Sequence, residues 1–255
     1  MGGNVTNYNF MPATAIATKG TKESVLSPVS GGQLALNSVG VSLAAAACDT
    51  AWGYKLPNAM WGAGQWVNAT TTFTDDTIDA QDAGADDFPL STLSANDGFI
   101  VYADRPFNAV GFTVGTATVG GSPAYDYMYW NGAWTALTTK AVPGYTAADQ
   151  FWIFLKPWDW AVTTASAGTG VPVGKYAVRL RATTAPSTTA PLATIMWVCQ
   201  FVAYNTAQVT NTKLTTSVEN TEMVLPGGAS LIGYWATANA GNFLECMYRS
   251  IGVYI

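Results

Sequence analysis

From Trp66 onward, apolar and polar residues alternate in short runs separated by Asn, Asp, Gly and Pro. A period of two puts every second side chain on one face of an extended strand. The pattern predicts strands at residues 66–73, 99–102 and 109–114, the last with Val110, Phe112 and Val114 on one face. Residues 124–130 and 133–137 flank Asn131-Gly132, a strong hairpin signal. In the first of these, Tyr125, Tyr127 and Tyr129 share one face and Asp126, Met128 and Trp130 the other. The tyrosine face either packs against an opposing sheet, which is the simpler account, or meets a partner. Residues 151–155 are continuously apolar, as in a central strand, and Trp158-Asp159-Trp160 falls in a loop after Lys156-Pro157. In residues 175–182, Tyr176, Val178 and Leu180 are expected inward and Lys175, Arg179 and Arg181 outward.

The two ends read differently. Residues 1–64 are the least regular, with Pro12 and Pro28 interrupting any long element, and residues 42–47 suit a helical turn or a short strand. They are expected to form an extended N-terminal arm with the first strands, laid along a neighbour or tucked into the chain's own sheet. Residues 65–190 form the central module, ending in a turn-like linker at 183–191. Residues 191–255 supply strands at 195–204, 213–218, 231–237 and 243–255 that complete the same or a second module. About ten to twelve short strands with no long helical pattern predict an all-β fold. The expected architecture is a β-sandwich, either one enlarged sandwich or two packed ones, with the N-terminal arm.

Composition narrows the function. Only 11% of residues are charged, against about a quarter in ordinary soluble domains. A neutral polar skin suits a protein packed against other protein surfaces, or else a secreted β protein. The net charge of −5 argues against a nucleic-acid partner; Arg179 and Arg181, on one strand face, are the nearest approach to a basic patch. With no histidine, Ser-His and Cys-His nucleophiles and the commonest metal ligand are excluded. Cys48, Cys199 and Cys246 imply no disulfide framework, and Cys199 and Cys246 read as small core residues, fitting a reducing cytoplasm. Neither a signal peptide nor a membrane segment is expected, and no membrane partner follows.

Two places are candidates for chemistry. Asp75, Asp76, Asp79, Asp82, Asp86 and Asp87 crowd one stretch. A solvated acidic loop is the simpler account; Asp75, Asp76, Asp79 and Asp82 are the candidate ligands if it holds Ca2+, the one cofactor considered. The run lacks the EF-hand pattern. Glycosidase chemistry needs two carboxylates across a groove, and none of Glu23, Glu219, Glu222 and Glu245 is bracketed as buried. Asp126 and Asp159 lie beside aromatics, and Trp158 with Trp160 is a candidate sugar platform or partner contact, core filling being the plainer reading of most tryptophans. No catalytic residue is assigned, and an enzyme is not expected.

Six pieces in order, Phe99-Ile100-Val101-Tyr102, Arg105-Pro106-Phe107, Val110-Gly111-Phe112-Thr113-Val114, residues 129–137, Trp158-Asp159-Trp160 and residues 174–182, carry a likeness. Together they resemble a β-sandwich module of tailed-bacteriophage virion proteins, among them head-decoration, baseplate and fibre components. The loop at Pro172 and Gly174 and the tyrosine-rich strand depart from it. Residues 226–249 have a weaker likeness to strands of small phage structural proteins. The resemblance implies architectural aromatics and a virion structural protein made in the host cytoplasm. Its leading form is a capsid decoration (cement) protein on the head surface. Such a protein binds the major capsid protein and itself, as a trimer or other cyclic homo-oligomer, with residues 1–64 lying over the capsid. A tail, baseplate or fibre component is the first alternative, and a carbohydrate-binding module the second.

Overall fold

The computed structural model describes the backbone of residues 9–16, 20–23, 33–42, 48–84, 88–145, 149–208, 213–217, 223–225, 228–236 and 242–251. Side chains are described at residue 39, in 48–84, 88–145, 149–202, 204–206, at 225 and in 228–236. The first strands are β1 (Asn9–Ile16), β2 (Gly20–Glu23), β3 (Gln33–Ser42) and β4 (Cys48–Lys55). Next come β5 (Trp61–Val67), β6 (Thr72–Asp75), the short helix α1 (Thr77–Gln81), β7 (Phe88–Pro89), β8 (Gly98–Ala103) and β9 (Ala109–Thr116). They are followed by β10 (Ala124–Trp130), β11 (Trp134–Ala136), β12 (Thr139–Ala141), β13 (Asp149–Phe154) and β14 (Tyr176–Thr184). The last are β15 (Leu192–Gln208), β16 (Lys213–Ser217), β17 (Met223–Leu225), β18 (Ser230–Trp235) and β19 (Asn242–Ile251). The fold is all-β, and its strand pairs are antiparallel.

The chain divides into two compact units, Met1–Pro57 with Gln200–Ile255, and Asn58–Cys199. In the first, β1, β19, β3 and β16 run side by side, with β17 also on β3. A second set pairs β2 with β18 and β18 with β4, and β4 lies beside the later half of β15. Trp52, Leu56, Leu231 and Trp235 are buried there.

Of the two alternatives for the N-terminal segment, the described strands take the second, tucked into the chain's own sheets. β1 and β3 pair with β19, and β2 and β4 with β18, so the described strands before Pro57 are tied to the chain's own C-terminal strands; β5 pairs with β6 and β8. Pairing satisfies backbone donors and acceptors that a lone extended segment leaves open. Pro12 fits because the register of β1 on β19 shifts between Met11 and Thr14, an irregularity that tolerates a residue without an N–H. The expected boundaries at 64/65 and 190/191 are replaced by breaks after Pro57 and Cys199, and the two end segments share one unit. β15 begins no new module: its first half pairs with β9 inside the second unit.

The second unit has a six-stranded sheet in the order β11-β10-β14-β8-β5-β6. Facing it are β12, β13, β9 and the first half of β15, with β7 on β15. Rings meet between the sheets: Phe99 and Phe112 at 6.4 Å, Tyr127 and Trp152 at 5.1 Å. The tyrosine face of β10 therefore takes the core-packing alternative. The strand expected at 66–73 is broken instead. A turn closes where the Thr71 N–H donates to the Asn68 carbonyl (3.2 Å), with Thr71 at φ +50°, and Asp97 accepts from the Asn68 N–H at 2.8 Å. The turn makes β5 and β6 a hairpin.

A second small core covers the other face of the six-stranded sheet. Trp66, Phe73, Ile100, Trp130 and Ala177 pack there with Ala167 and Val171. The last two belong to residues 161–175, a segment without regular strand that lies over this face. It is anchored by Phe73 N–H to Thr169 O (2.8 Å) and Ala161 N–H to Trp130 O (3.1 Å).

Candidate functional site

The aromatic corner at residues 155–161 is built on the β10–β11 hairpin. Trp130 pairs with Trp134, leaving Asn131-Gly132-Ala133 as the loop, with Gly132 at φ +106° where a side chain would be strained. Asn131 faces the corner. Its Nδ2 donates to Asp159 Oδ2 at 3.0 Å, and its Oδ1 accepts from the Thr135 hydroxyl at 2.9 Å. The Tyr129 hydroxyl donates to Asp159 Oδ1 at 2.8 Å. Asn131 and Tyr129, in that order, hold the Asp159 carboxyl below its ordinary value. Burial, then the bond to Asp159, pushes the Tyr129 hydroxyl up.

Those bonds fix a short turn whose two tryptophans go opposite ways. Trp160 is buried against Phe107 (5.1 Å), Tyr176 (5.8 Å) and Phe154 (6.1 Å). Trp158 is 97% exposed. The expected platform of both rings is thereby corrected, because Trp160 is core and Trp158 alone faces solvent. Asp126 accepts from Arg181 Nη2 at 2.8 Å and is taken up in that ion pair.

Arg179 overturns a second expectation. Placed outward by alternation, it is only 5% exposed. Its guanidinium carbon lies 4.9 Å from the centre of the Trp66 ring and 4.6 Å from that of Trp134. Nη2 lies 3.1 Å from Met128 Sδ, while Nε has no hydrogen-bond partner among the described residues. Trp134 is itself pinned by Nε1–H to Ala167 O at 2.9 Å. Burial, then the charge of Arg181, pulls the guanidinium pKa down to about 10. The cage depends on residues 161–173, which contain no charged residue; that run was the available signal that the outer face is covered.

In the acidic stretch, most of the described carboxylates are taken up by local hydrogen bonds. Asp75 accepts from the Tyr102 hydroxyl at 2.6 Å and the Thr77 N–H at 3.0 Å. Burial raises its pKa, but those bonds outweigh it and leave it lowered. Asp76 accepts from Gln65 Nε2 at 3.2 Å, and Asp82 from the Gly84 N–H at 2.8 Å. Asp79 is raised by Asp76 beside it. Among the described residues no three acidic, Cys or His side chains are placed to hold a metal. Asp86 and Asp87 lie outside the described residues, as do the side chains of Glu23, Glu219, Glu222, Glu245 and Cys246. Cys48 and Cys199 are buried. No family model, curated protein or solved structure matches the chain.

Proposed function

We propose that the chain is a structural protein of a tailed-bacteriophage virion, a capsid decoration or cement protein on the outside of the head. The observation that carries this reading is how the pieces of the resemblance over residues 99–182 fit together. β8 pairs with β14, β14 with β10, and the Trp158-Asp159-Trp160 corner is bonded through Asp159 to the β10–β11 hairpin. Motifs that resemble one module thus make one framework, and we read its two facing sheets as a β-sandwich. The scarcity of charge adds support, since interface cores are depleted of charged residues.

Attachment is non-covalent. The partners are the major capsid protein and further copies of this chain, as a trimer or another cyclic cluster. Catalysis, a cofactor and nucleic acid have no part in it, and the protein is made in the host cytoplasm. Because the described strands of the N-terminal segment pair within the chain, attachment is assigned to exposed surface, with Trp158 as its first contact. Immunogold labelling or electron cryomicroscopy of purified particles tests the reading. Label over the head is expected; label at the tail favours a tail, baseplate or fibre component; absence from particles refutes both.

The exposure of Trp158 also favours a second reading, a carbohydrate-binding module, because an open indole face can stack on a sugar ring. On a glycan array that reading expects binding that Trp158→Ala abolishes with the fold intact. No binding by the wild type removes it.

A further inference from the structure

The loop between β10 and β11 holds a reactive pair as well as a structural tie. Asn131 is the one asparagine in the chain that is followed by glycine. The backbone nitrogen after an asparagine can attack that residue's own side-chain carbonyl carbon and close a five-membered imide ring. Glycine hinders this attack least, because it has no side chain beside the attacking nitrogen. Gly132 and Ala133 are exposed, and a Cβ on Gly132 would meet no described atom within 4 Å. The loop is open to water.

The surroundings of the Asn131 amide match the charges that such a reaction develops. As the nitrogen adds to the carbonyl carbon, negative charge builds on Oδ1. That oxygen accepts from the Thr135 hydroxyl at 2.9 Å and from the Ala133 N–H at 3.4 Å, so two donors already face it. Nδ2, the nitrogen that leaves, donates to Asp159 Oδ2 at 3.0 Å and to the Tyr129 hydroxyl at 3.4 Å. The bonds from Asn131 and Tyr129 keep the Asp159 carboxyl below its ordinary value, so it is ionised at neutral pH. A carboxylate there stabilises the positive charge that the nitrogen takes on as it gains a proton.

We propose that Asn131 is a self-modification site, which deamidates in the folded protein through an imide formed with Gly132. The Gly132 nitrogen bonds to Asn131 Cγ and the Cγ–Nδ2 bond breaks. The proton of the Gly132 N–H goes to the departing nitrogen, which leaves as ammonia. Water then opens the imide at either carbonyl, so residue 131 ends as aspartate or as isoaspartate, whose main chain runs through Cγ. One water is consumed, one ammonia is released, and nothing is oxidised or reduced. The product sets a second carboxylate against Asp159. Where the amide donated, the new group only accepts, and attraction across the corner becomes repulsion between like charges. The tie that fixes the turn carrying Trp158 is lost with it.

Peptide mapping by mass spectrometry with electron-transfer fragmentation follows the conversion at pH 8, assigning both its position and the isomer formed. Three comparisons accompany the folded wild type. The same chain in urea shows what the Asn-Gly sequence does without the corner. Thr135→Val removes one donor from Oδ1 at nearly constant volume, with circular dichroism checking its fold. Asn131→Asp copies one product. Folded wild type is expected to convert at residue 131 at least as fast as the chain in urea. Folded Thr135→Val is expected to convert about tenfold more slowly, the worth of one hydrogen bond, and to match wild type in urea. Asn131→Asp is expected to show a lower Tm than wild type at pH 8, with the gap narrowing as acid removes the repulsion. A folded wild type that converts more slowly than in urea overturns the proposal, since the corner then shields the amide. Equal folded rates for Thr135→Val and wild type overturn it as well, and an Asn131→Asp chain as stable as wild type at pH 8 overturns the loss of the tie.

Discussion

Arg179 and Arg181 stand two residues apart on β14, on the same face of the same sheet, and the protein treats them in opposite ways. Arg181 lies where the face is open: its side chain is 26% exposed and pairs with Asp126 at 2.8 Å. Arg179 lies where residues 161–175 cover the face, caged by Trp66 and Trp134. A guanidinium can be buried this way because it is flat, weakly hydrated and attracted to aromatic faces. The difference comes from the cover, not from the strand. An irregular segment, uncharged over residues 161–173, turns half of a solvent face into a second core, while the other half keeps ordinary surface electrostatics.

The comparison breaks most severely if the cover loses its floor. Trp66→Ala removes a ring that is 2% exposed and stacks on Arg179. It is expected to cost about 3–5 kcal/mol in chemical denaturation. The cover can be attacked from its own side at Gly168, which stands at φ +140°; a Cβ there would come within 2.5 Å of the Trp66 ring. Gly168→Ala is expected to destabilise in the same direction and to expose Arg179 to solvent, which hydrogen exchange of residues 161–175 would report. If both variants unfold like wild type, the second core contributes nothing.

Arg179 itself gives the next largest effect. Arg179→Ala leaves a gap between two indoles and is expected to cost about 2 kcal/mol. Arg179→Met fills much of the gap and removes a buried cation whose Nε has no hydrogen-bond partner among the described residues. It should stay within about 1 kcal/mol of wild type or exceed it. A methionine variant as unstable as the alanine one would mean that charge, not volume, holds the cage together.

How far the sequence revealed these features depends on how local their causes are. The β10–β11 hairpin was legible because Asn131-Gly132 sits between alternating aromatics, and the tyrosine face because a period of two fixes it. Alternation assigns Arg179 to a face but says nothing of what lies over that face. Trp158 and Trp160 are two residues apart in a turn that has no periodicity, so nothing local separates an exposed ring from a buried one. The strands within residues 1–57 were hardest to read, because β1 and β3 find their partner in β19, near the other end of the sequence. Such pairing leaves no short-range mark.

The corner supplies a contrast in pH. Asp159 is held below its ordinary value by Asn131 and Tyr129. A carboxyl with a depressed folded pKa adds stability that is full above its unfolded pKa, about 4, and is lost as pH falls through the lower folded pKa. Asp159→Asn is therefore expected to be less stable than wild type at pH 7, with the gap closing as pH drops below about 4. Urea denaturation at several pH values checks this, and a gap independent of pH would show that the carboxylate charge plays no part. Tyr129→Phe should lose about 1 kcal/mol through the same bond.

The smallest effect belongs to the open half of the face. The Arg181–Asp126 pair keeps access to solvent, with side-chain exposures of 26% and 45%. Water competes for both partners, and salt screens them. Asp126→Ala is expected to cost about 0.2–1 kcal/mol, and the cost should shrink on going from low salt to 1 M NaCl as the screening length falls to about 3 Å. The Arg179→Ala cost should hardly change over the same range, because the cage excludes ions as well as water. A salt titration of both variants in one denaturation series is thus the finest test of the comparison. Parallel salt dependence would place the two arginines in the same electrostatic environment, and the cover would then have no bearing on how either is held.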